Sequence, residues 1–222
     1  EKRLERLAAE VRKTKSKELL EEQELLVRVK AHLEADRPLR EFSFTAREAS
    51  SVRGFGLLSQ KPLLHLVNAD ESTLAGYREL ASPAQNGRAV LVFAGKIEQE
   101  LLDLPAEERE MFTAEYGLTG YTYIRDVFVK TSFSLMNLIS FFTVGSDETR
   151  AWPIAAGSTA WEAAGKIHSD IQRGFIRAEV IGWQDFLACD GFPRAKEKGL
   201  LRLEGKEYVV LDGEIVHFRF NA

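Results

Sequence analysis

One cysteine, Cys189, stands among 222 residues. An internal disulfide is therefore excluded. A zinc site would have to be assembled from His32, His65, His168 and His217, none of which lies at ligand spacing from another or from Cys189. Cys189 is expected to be a buried, inert thiol. No apolar run reaches the ~18 residues needed to span a bilayer, and no secretory signal pattern is present. The expectation is a cytoplasmic protein with no membrane partner. An excess of positive charge is missing too: the net charge is −4 and the pI about 5.7. The chain as a whole is no polybasic nucleic-acid binder, so any RNA contact must come from a local basic patch. An initiating methionine is also lacking. Glu1 already lies inside a helical pattern, which is the expectation for a piece of a longer protein.

What is present is an ordinary globular balance of 45% apolar and 29% charged residues, enough to bury a core in one large or two modest domains. Leu4, Leu7 and Val11 recur at helical steps. The run Arg12 to Lys17 then loses apolar character, and the pattern restarts at Leu19, Leu20, Leu25, Leu26, Val29 and Leu33. This predicts an antiparallel helical hairpin with a basic tip at 12–17. Pro38 ends the second helix, and a further helix is predicted near Ala46–Leu58. Lys61–Asn68 and Ala89–Phe93 read as strands buried on both faces, the mark of a parallel sheet, with a helix-length segment between them. Two strands make a poor parallel sheet alone, so this half-sheet needs partners.

From Lys96 to about Phe133 the chain reads as helix, with a start at Pro105 followed by Glu107 and Glu108 and a break at Gly117 and Gly120. Beyond Asn137 the texture changes to short strands and glycine turns. A hairpin is predicted between Leu138–Val144 and Glu148–Ile154 across Gly145-Ser146-Asp147. Thr159 and Glu162 form a capping box that opens a short helix. Gly174–Ile181 reads as strand and Trp183–Ala188 as helix. Arg202–Leu211 and Glu214–Asn221 read as a final strand pair around Asp212-Gly213. A ββαβ(α)ββ order with a single helix crossing a mixed sheet describes a β-grasp fold.

The stretches Phe141 to Gly145, Thr149 to Trp152, Ala163 to Asp170, Arg173 to Ile181, Leu203 to Val210 and Phe218 to Asn221 strongly resemble the TGS domain of the YchF/Obg-like ATPases. The upstream hairpin and the Lys61–Glu71 strand match in kind and order, so the resemblance covers essentially the whole chain. It implies a fold of mixed α/β and α+β class. The order is a helical hairpin insert at 1–58, the last part of a Rossmann-like P-loop nucleotide domain at 59–136, and a β-grasp TGS domain at 137–222.

The resemblance also assigns chemistry. Related GTPases end the corresponding strand in Asn-Lys-x-Asp, whose Asp takes hydrogen bonds from the guanine ring N–H and amine. Here the positions read Asn68-Ala69-Asp70-Glu71, a pattern that goes with relaxed or ATP-preferring binding. Asn68 would fix the loop, the Ala69 backbone would meet the base edge, and Glu71 marks the changed specificity. On spacing alone, the same four residues read as the cap of the following helix; it is the flanking resemblance that makes them a nucleotide loop. Ala94-Gly95 would form a second small-residue loop against the base, with Gly95 allowing close backbone approach.

A phosphate cradle requires Gly-x4-Gly-Lys-Ser/Thr. The Gly-Lys pairs at 95–96, 165–166 and 205–206 are followed by Ile97, Ile167 and Glu207, and none has glycine five positions earlier. No magnesium ligand set is assignable. The family setting implies ATP or GTP with Mg²⁺ for the whole protein, with hydrolysis not expected of this chain alone, and a ribosome or RNA partner. Candidate contacts for that partner are Lys13, Lys15 and Lys17 at the hairpin tip and Arg150, Lys166, Arg173 and Arg177 in the TGS-like region. Interspersed acids describe a solvated mixed surface equally well. His168 is expected to be structural, at a helix end. Two functions stay open: an ATPase-family switch protein acting in translation, and a non-enzymatic TGS module that binds RNA or ribosomal protein.

Overall fold

The computed structural model describes residues 1–14, 16–115, 123–145 and 147–221. The chain divides into two compact units, Glu1–Leu135 and Met136–Ala222.

The first unit opens with α1 (Lys2–Thr14) and α2 (Lys17–Glu34). They run antiparallel: the Arg3 guanidinium meets the Glu22 carboxylate at 2.7 Å, and Lys30 lies 3.4 Å from Glu1. Leu7, Leu25, Leu26 and Val29 bury the shared seam, and Leu39 and Val52 from the following segment close it. The His32 ring, also buried, lies 3.1 Å from the Pro38 carbonyl oxygen and edge-on to Phe42. α3 (Ala46–Val52) starts at a complete Thr45–Glu48 capping box. It stops short of the predicted Leu58, because the chain continues into single 3-10 turns at Arg53–Phe55 and Leu58–Gln60.

Next come β1 (Leu63–Asn68), α4 (Glu71–Tyr77), β2 (Ser82–Gln85) and β3 (Arg88–Phe93). β1 and β3 pair in parallel, from Leu63 opposite Arg88 to Asn68 opposite Phe93. β2 is absent from the sequence-based expectation. It turns into β3 through Asn86-Gly87, both at positive φ (51° and 68°), the backbone that two-residue hairpin turns require. β1 is not buried on both faces as predicted: it is an edge strand in the order β1-β3-β2, and Leu66 is 47% exposed. α5 (Gly95–Asp103), α6 (Ala106–Glu115) and α7 (Ile124–Leu135) complete the unit. The predicted break at Gly117 and Gly120 lies outside the described residues.

The second unit contains β4 (Leu138–Val144), β5 (Thr149–Ala155), α8 (Ala160–Ile167), α9 (Ser169–Arg173), β6 (Phe175–Gly182), α10 (Trp183–Cys189), α11 (Phe192–Glu197), β7 (Arg202–Glu204) and β8 (Glu214–Phe220). The sheet order is β5-β4-β8-β6-β7. β4 and β8 are parallel and the remaining neighbours antiparallel. The predicted β4–β5 hairpin and the Thr159–Glu162 box both form; Ser146, within the predicted turn, lies outside the described residues.

The predicted last strand pair does not form, since β7 and β8 each pair with β6 instead. The Asp212-Gly213 turn is drawn onto β4 rather than closing a hairpin. The Asp212 carboxylate accepts from the Ser140 N–H at 2.8 Å, and the Gly213 N–H donates to the Ser140 carbonyl at 2.8 Å. Helices also cover both faces of the sheet rather than one. Phe141, Val180, Val216 and Phe218 pack with α8 on one side. Ile181 and Ile215 pack with Cys189 and Ala195 of α10 and α11 on the other. Cys189 is buried.

Candidate functional site

Parallel strands bring their C-terminal ends to one edge of a sheet, and ligands of open α/β sheets bind there. β1 and β3 do this with Asn68 and Phe93 side by side. The Ala69 N–H donates to the Phe93 carbonyl at 2.9 Å, extending the ladder one residue past the strand. The Asn68 side-chain oxygen then accepts the Gly95 N–H at 3.0 Å, which ties the end of β1 to the first residue of α5. A Cβ on Gly95 would stand 3.2 Å from that oxygen and 3.1 Å from the Phe93 ring. Ala69 and Ala94 are buried beside Leu74, Ile97 and Leu101, so small side chains are needed where the two loops meet.

The next residues open α4. The Leu74 N–H reaches the Asp70 carbonyl at 2.8 Å, and the Thr73 hydroxyl accepts the Asp70 N–H at 3.1 Å. The segment 68–71 thus does two jobs: its first residue fixes the neighbouring loop, and its later backbone starts a helix. The Glu71 side chain lies outside the described part of the structure.

Two side chains that sequence reasoning passed over hold α5 in place. Glu98, 6% exposed, accepts the Ile124 N–H on both carboxylate oxygens at 3.1 and 3.0 Å, placing an anion at the positive N-terminus of α7. Arg109 donates to the carbonyls of Leu101 at 2.8 Å and Leu104 at 2.9 Å, where α5 ends. The available signal was Glu98 itself, a charge set between Ile97 and Leu101 on an otherwise apolar helix face.

The cationic candidates are dispersed. Lys13 and Lys17 sit at the hairpin tip, Lys17 beside Glu21 at 3.9 Å; Lys15 lies outside the described residues. The Arg150 guanidinium stacks 4.2 Å above the Trp152 ring, whose N–H reaches the Thr143 hydroxyl at 2.9 Å. Lys166 lies in the last turn of α8. Arg173 is paired with Asp170, and that contact holds the Asp170 carboxyl below its usual range. Arg150 faces the α8 side of the sheet with Trp152, whereas Arg177, opposite Arg219, faces the other side. The His168 Nδ1 accepts the Asp170 N–H at 3.2 Å and caps α9. No cluster of three His, Cys, Asp or Glu suited to a metal ion occurs among the described residues.

Residues 138–221 match the YchF-GTPase C-terminal family, described as proteins of unknown function (DUF933). The ribosome-binding ATPase YchF of Bacillus subtilis is 41% identical over all of this chain and 62% of its own length. Its Escherichia coli O157:H7 counterpart is 38% identical over 83% of this chain and 51% of its own length. Obg-like ATPase 1 of Caenorhabditis elegans is 36% identical over 90% and 52%. The structure of the Schizosaccharomyces pombe YchF GTPase superposes with a TM-score of 0.77 at 28% identity, covering 98% of this chain and 60% of that one. The chain thus spans between half and two thirds of the length of these relatives. It is a relative of the YchF and Obg-like ATPases, and its residues 138–221 belong to the YchF C-terminal family.

Proposed function

We propose that this chain supplies the base-side loops of a purine nucleotide site, within a protein that acts as a ribosome-associated ATPase. The observation that carries this is the hydrogen bond from the Gly95 N–H to the Asn68 side chain. It fixes two loops against each other at the C-terminal edge of a parallel strand pair. Asn68 shapes that edge, and the Ala69 backbone and the Ala94-Gly95 loop line it. Glu71 stands where a guanine-reading Asp would otherwise accept two N–H donors. Adenine offers no ring N–H at that edge, so the substitution favours ATP over GTP.

In this reading residues 1–58 are a helical insert, 59–136 the end of the nucleotide domain, and 137–222 a β-grasp TGS domain in the cytoplasm. Similarity to the ribosome-binding ATPases of Bacillus subtilis and Escherichia coli O157:H7 supports the ribosomal partner. The sequence contains no Gly-x4-Gly-Lys-Ser/Thr element and no assignable ligand set for Mg²⁺. Binding of the nucleotide's phosphates, magnesium and hydrolysis are therefore not assigned to these residues. The hairpin tip cations Lys13, Lys15 and Lys17, and Arg150, Lys166, Arg173 and Arg177, remain candidate RNA contacts.

The test is chemical-shift mapping of the labelled chain with adenosine and with guanosine. Adenosine is expected to move the Ala69 and Gly95 amides at lower concentration than guanosine. Unmoved Ala69 and Gly95 amides with both nucleosides would overturn the base-loop reading and leave a non-enzymatic interaction module.

A further inference from the structure

At the other end of β1, away from the base loops by the six residues of the strand (about 20 Å of extended chain), the segment joining α3 to β1 forms an open surface cavity of about 360 Å³. Ala49 and Arg53 enter it from successive turns of one helical face. Leu57, Gln60, Lys61 and the left-handed Gly56 complete most of its wall. No carboxylate lines it.

A third cation stands beside it. Arg40 donates from Nε to the Lys61 carbonyl at 3.1 Å, which anchors the guanidinium through one nitrogen and leaves its fork available. Its aliphatic stem packs against Gly87, where an added Cβ would lie 3.2 Å from Arg40 Cβ. Among the described residues, Arg40, Arg53 and Lys61 form no ion pair. The opposite side of α3 is arranged differently. There Arg28 pairs with Glu48, and Arg47 lies 3.2 Å from Glu21, so each cation already has its anion. In a chain of net charge −4, two lining cations without ion pairs among the described residues, with Arg40 adjacent through the Lys61 carbonyl, give a carboxylate-free cavity a local positive field.

We infer that this cavity is an oxyanion site that takes a phosphate group, with Arg53 as the planar donor and Lys61 as a point charge, and with Arg40, outside the lining, adding only its charge. The phosphate is either a free phosphoryl ligand or a group in a single-stranded nucleic-acid backbone. The site is independent of the base loops.

The test titrates pyrophosphate by calorimetry, and a ten-nucleotide single-stranded RNA by fluorescence anisotropy, into the full chain. The Arg53→Gln/Lys61→Gln double variant, the Lys196→Gln/Lys198→Gln control at the C-terminal end of α11 and Asn68→Ala are compared with the parent, with circular dichroism confirming that each is folded. At least a tenfold loss of affinity is expected in the double variant only. If RNA is the ligand, its salt slope should become shallower by roughly 1.4, at about 0.7 per lost phosphate contact. Pyrophosphate binding without RNA binding assigns a free phosphoryl ligand, and the reverse assigns a nucleic-acid backbone. No binding by the parent, equal binding by the double variant, or a loss in Asn68→Ala that matches the double variant would each overturn the site.

Discussion

The side-chain oxygen of Asn68 sits 3.0 Å from the Gly95 nitrogen, 27 residues further along the chain. It is a single bond between the end of one parallel strand and the start of the helix that follows the next. Asn68→Ala removes the acceptor and should destabilise the first unit by about 0.5–1.5 kcal/mol. Amide exchange at Gly95 should accelerate, while Asn68→Asp, which keeps an acceptor, should retain most of the protection. Unchanged Gly95 exchange in the alanine variant would show that the bond does not hold the loop.

Glu98 performs the corresponding task on the far side of α5. Its buried carboxylate receives the Ile124 N–H, so Glu98→Ala leaves a donor unsatisfied at the start of α7. The expected loss is about 1–3 kcal/mol, read as a lower urea midpoint for the first unit. Glu98→Gln keeps an acceptor oxygen but drops the charge at the helix terminus, and should fall between the parent and the alanine variant. A glutamine variant as weak as alanine would place the whole effect in the charge.

Short-range features of the fold were legible in the sequence, and long-range pairings were not. The two helices of the hairpin, the β4 and β5 strands and the Thr159–Glu162 box each carry their signal in residues within a few positions of one another. The strand pair expected around Asp212-Gly213 does not form: these residues look like a local turn, while their hydrogen bonds go to Ser140, more than seventy residues away. Asn86-Gly87 carried a strong hairpin signal that was passed over in favour of a longer helix. At the candidate site, Asn68, Ala69, Ala94 and Gly95 were singled out through a family resemblance. Their mutual contact depends on β1 and β3 being adjacent, which no local pattern states. Arg109 gave no sequence signal, since its carbonyl partners belong to the preceding helix end.

The Thr45–Glu48 box makes α3 sensitive to acid. The Thr45 backbone N–H, and after it Arg28, hold the Glu48 carboxyl below its usual range. A depressed folded-state value means that the stabilisation is complete above the ordinary glutamate pKa of about 4.3, and is lost as pH falls through the folded value. Amide protection across Ala46–Val52 should therefore fall in the acid range below about pH 4. In Glu48→Gln this local pH dependence should vanish. A Glu48→Gln variant that keeps the same acid profile would assign it to another carboxylate.

Pro153 lies in the middle of β5, the outer strand of the second sheet. The Ala156 N–H donates to the Asn137 carbonyl and the Gly145 N–H to the Glu148 carbonyl. In an antiparallel ladder the hydrogen-bonded pairs alternate, so the even-numbered residues of β5 face β4 and the odd-numbered ones turn their backbone polar groups outward. Pro153 has an odd number. Its missing N–H therefore breaks the exposed row of donors without removing a bond to β4, a recurrent way of blunting a sheet edge. Pro153→Val should leave the fold and the β4–β5 pairing intact, because no internal hydrogen bond depends on it, while restoring a continuous edge that accepts another strand. The expected result is concentration-dependent self-association of the valine variant beyond that of the parent, measured by sedimentation velocity, with unchanged circular dichroism at low concentration. If the variant sediments as the parent does across the same range, the edge is protected by something other than the proline, and the exposed side chains of Ala151 and Ala155 on the same strand become the next positions to test.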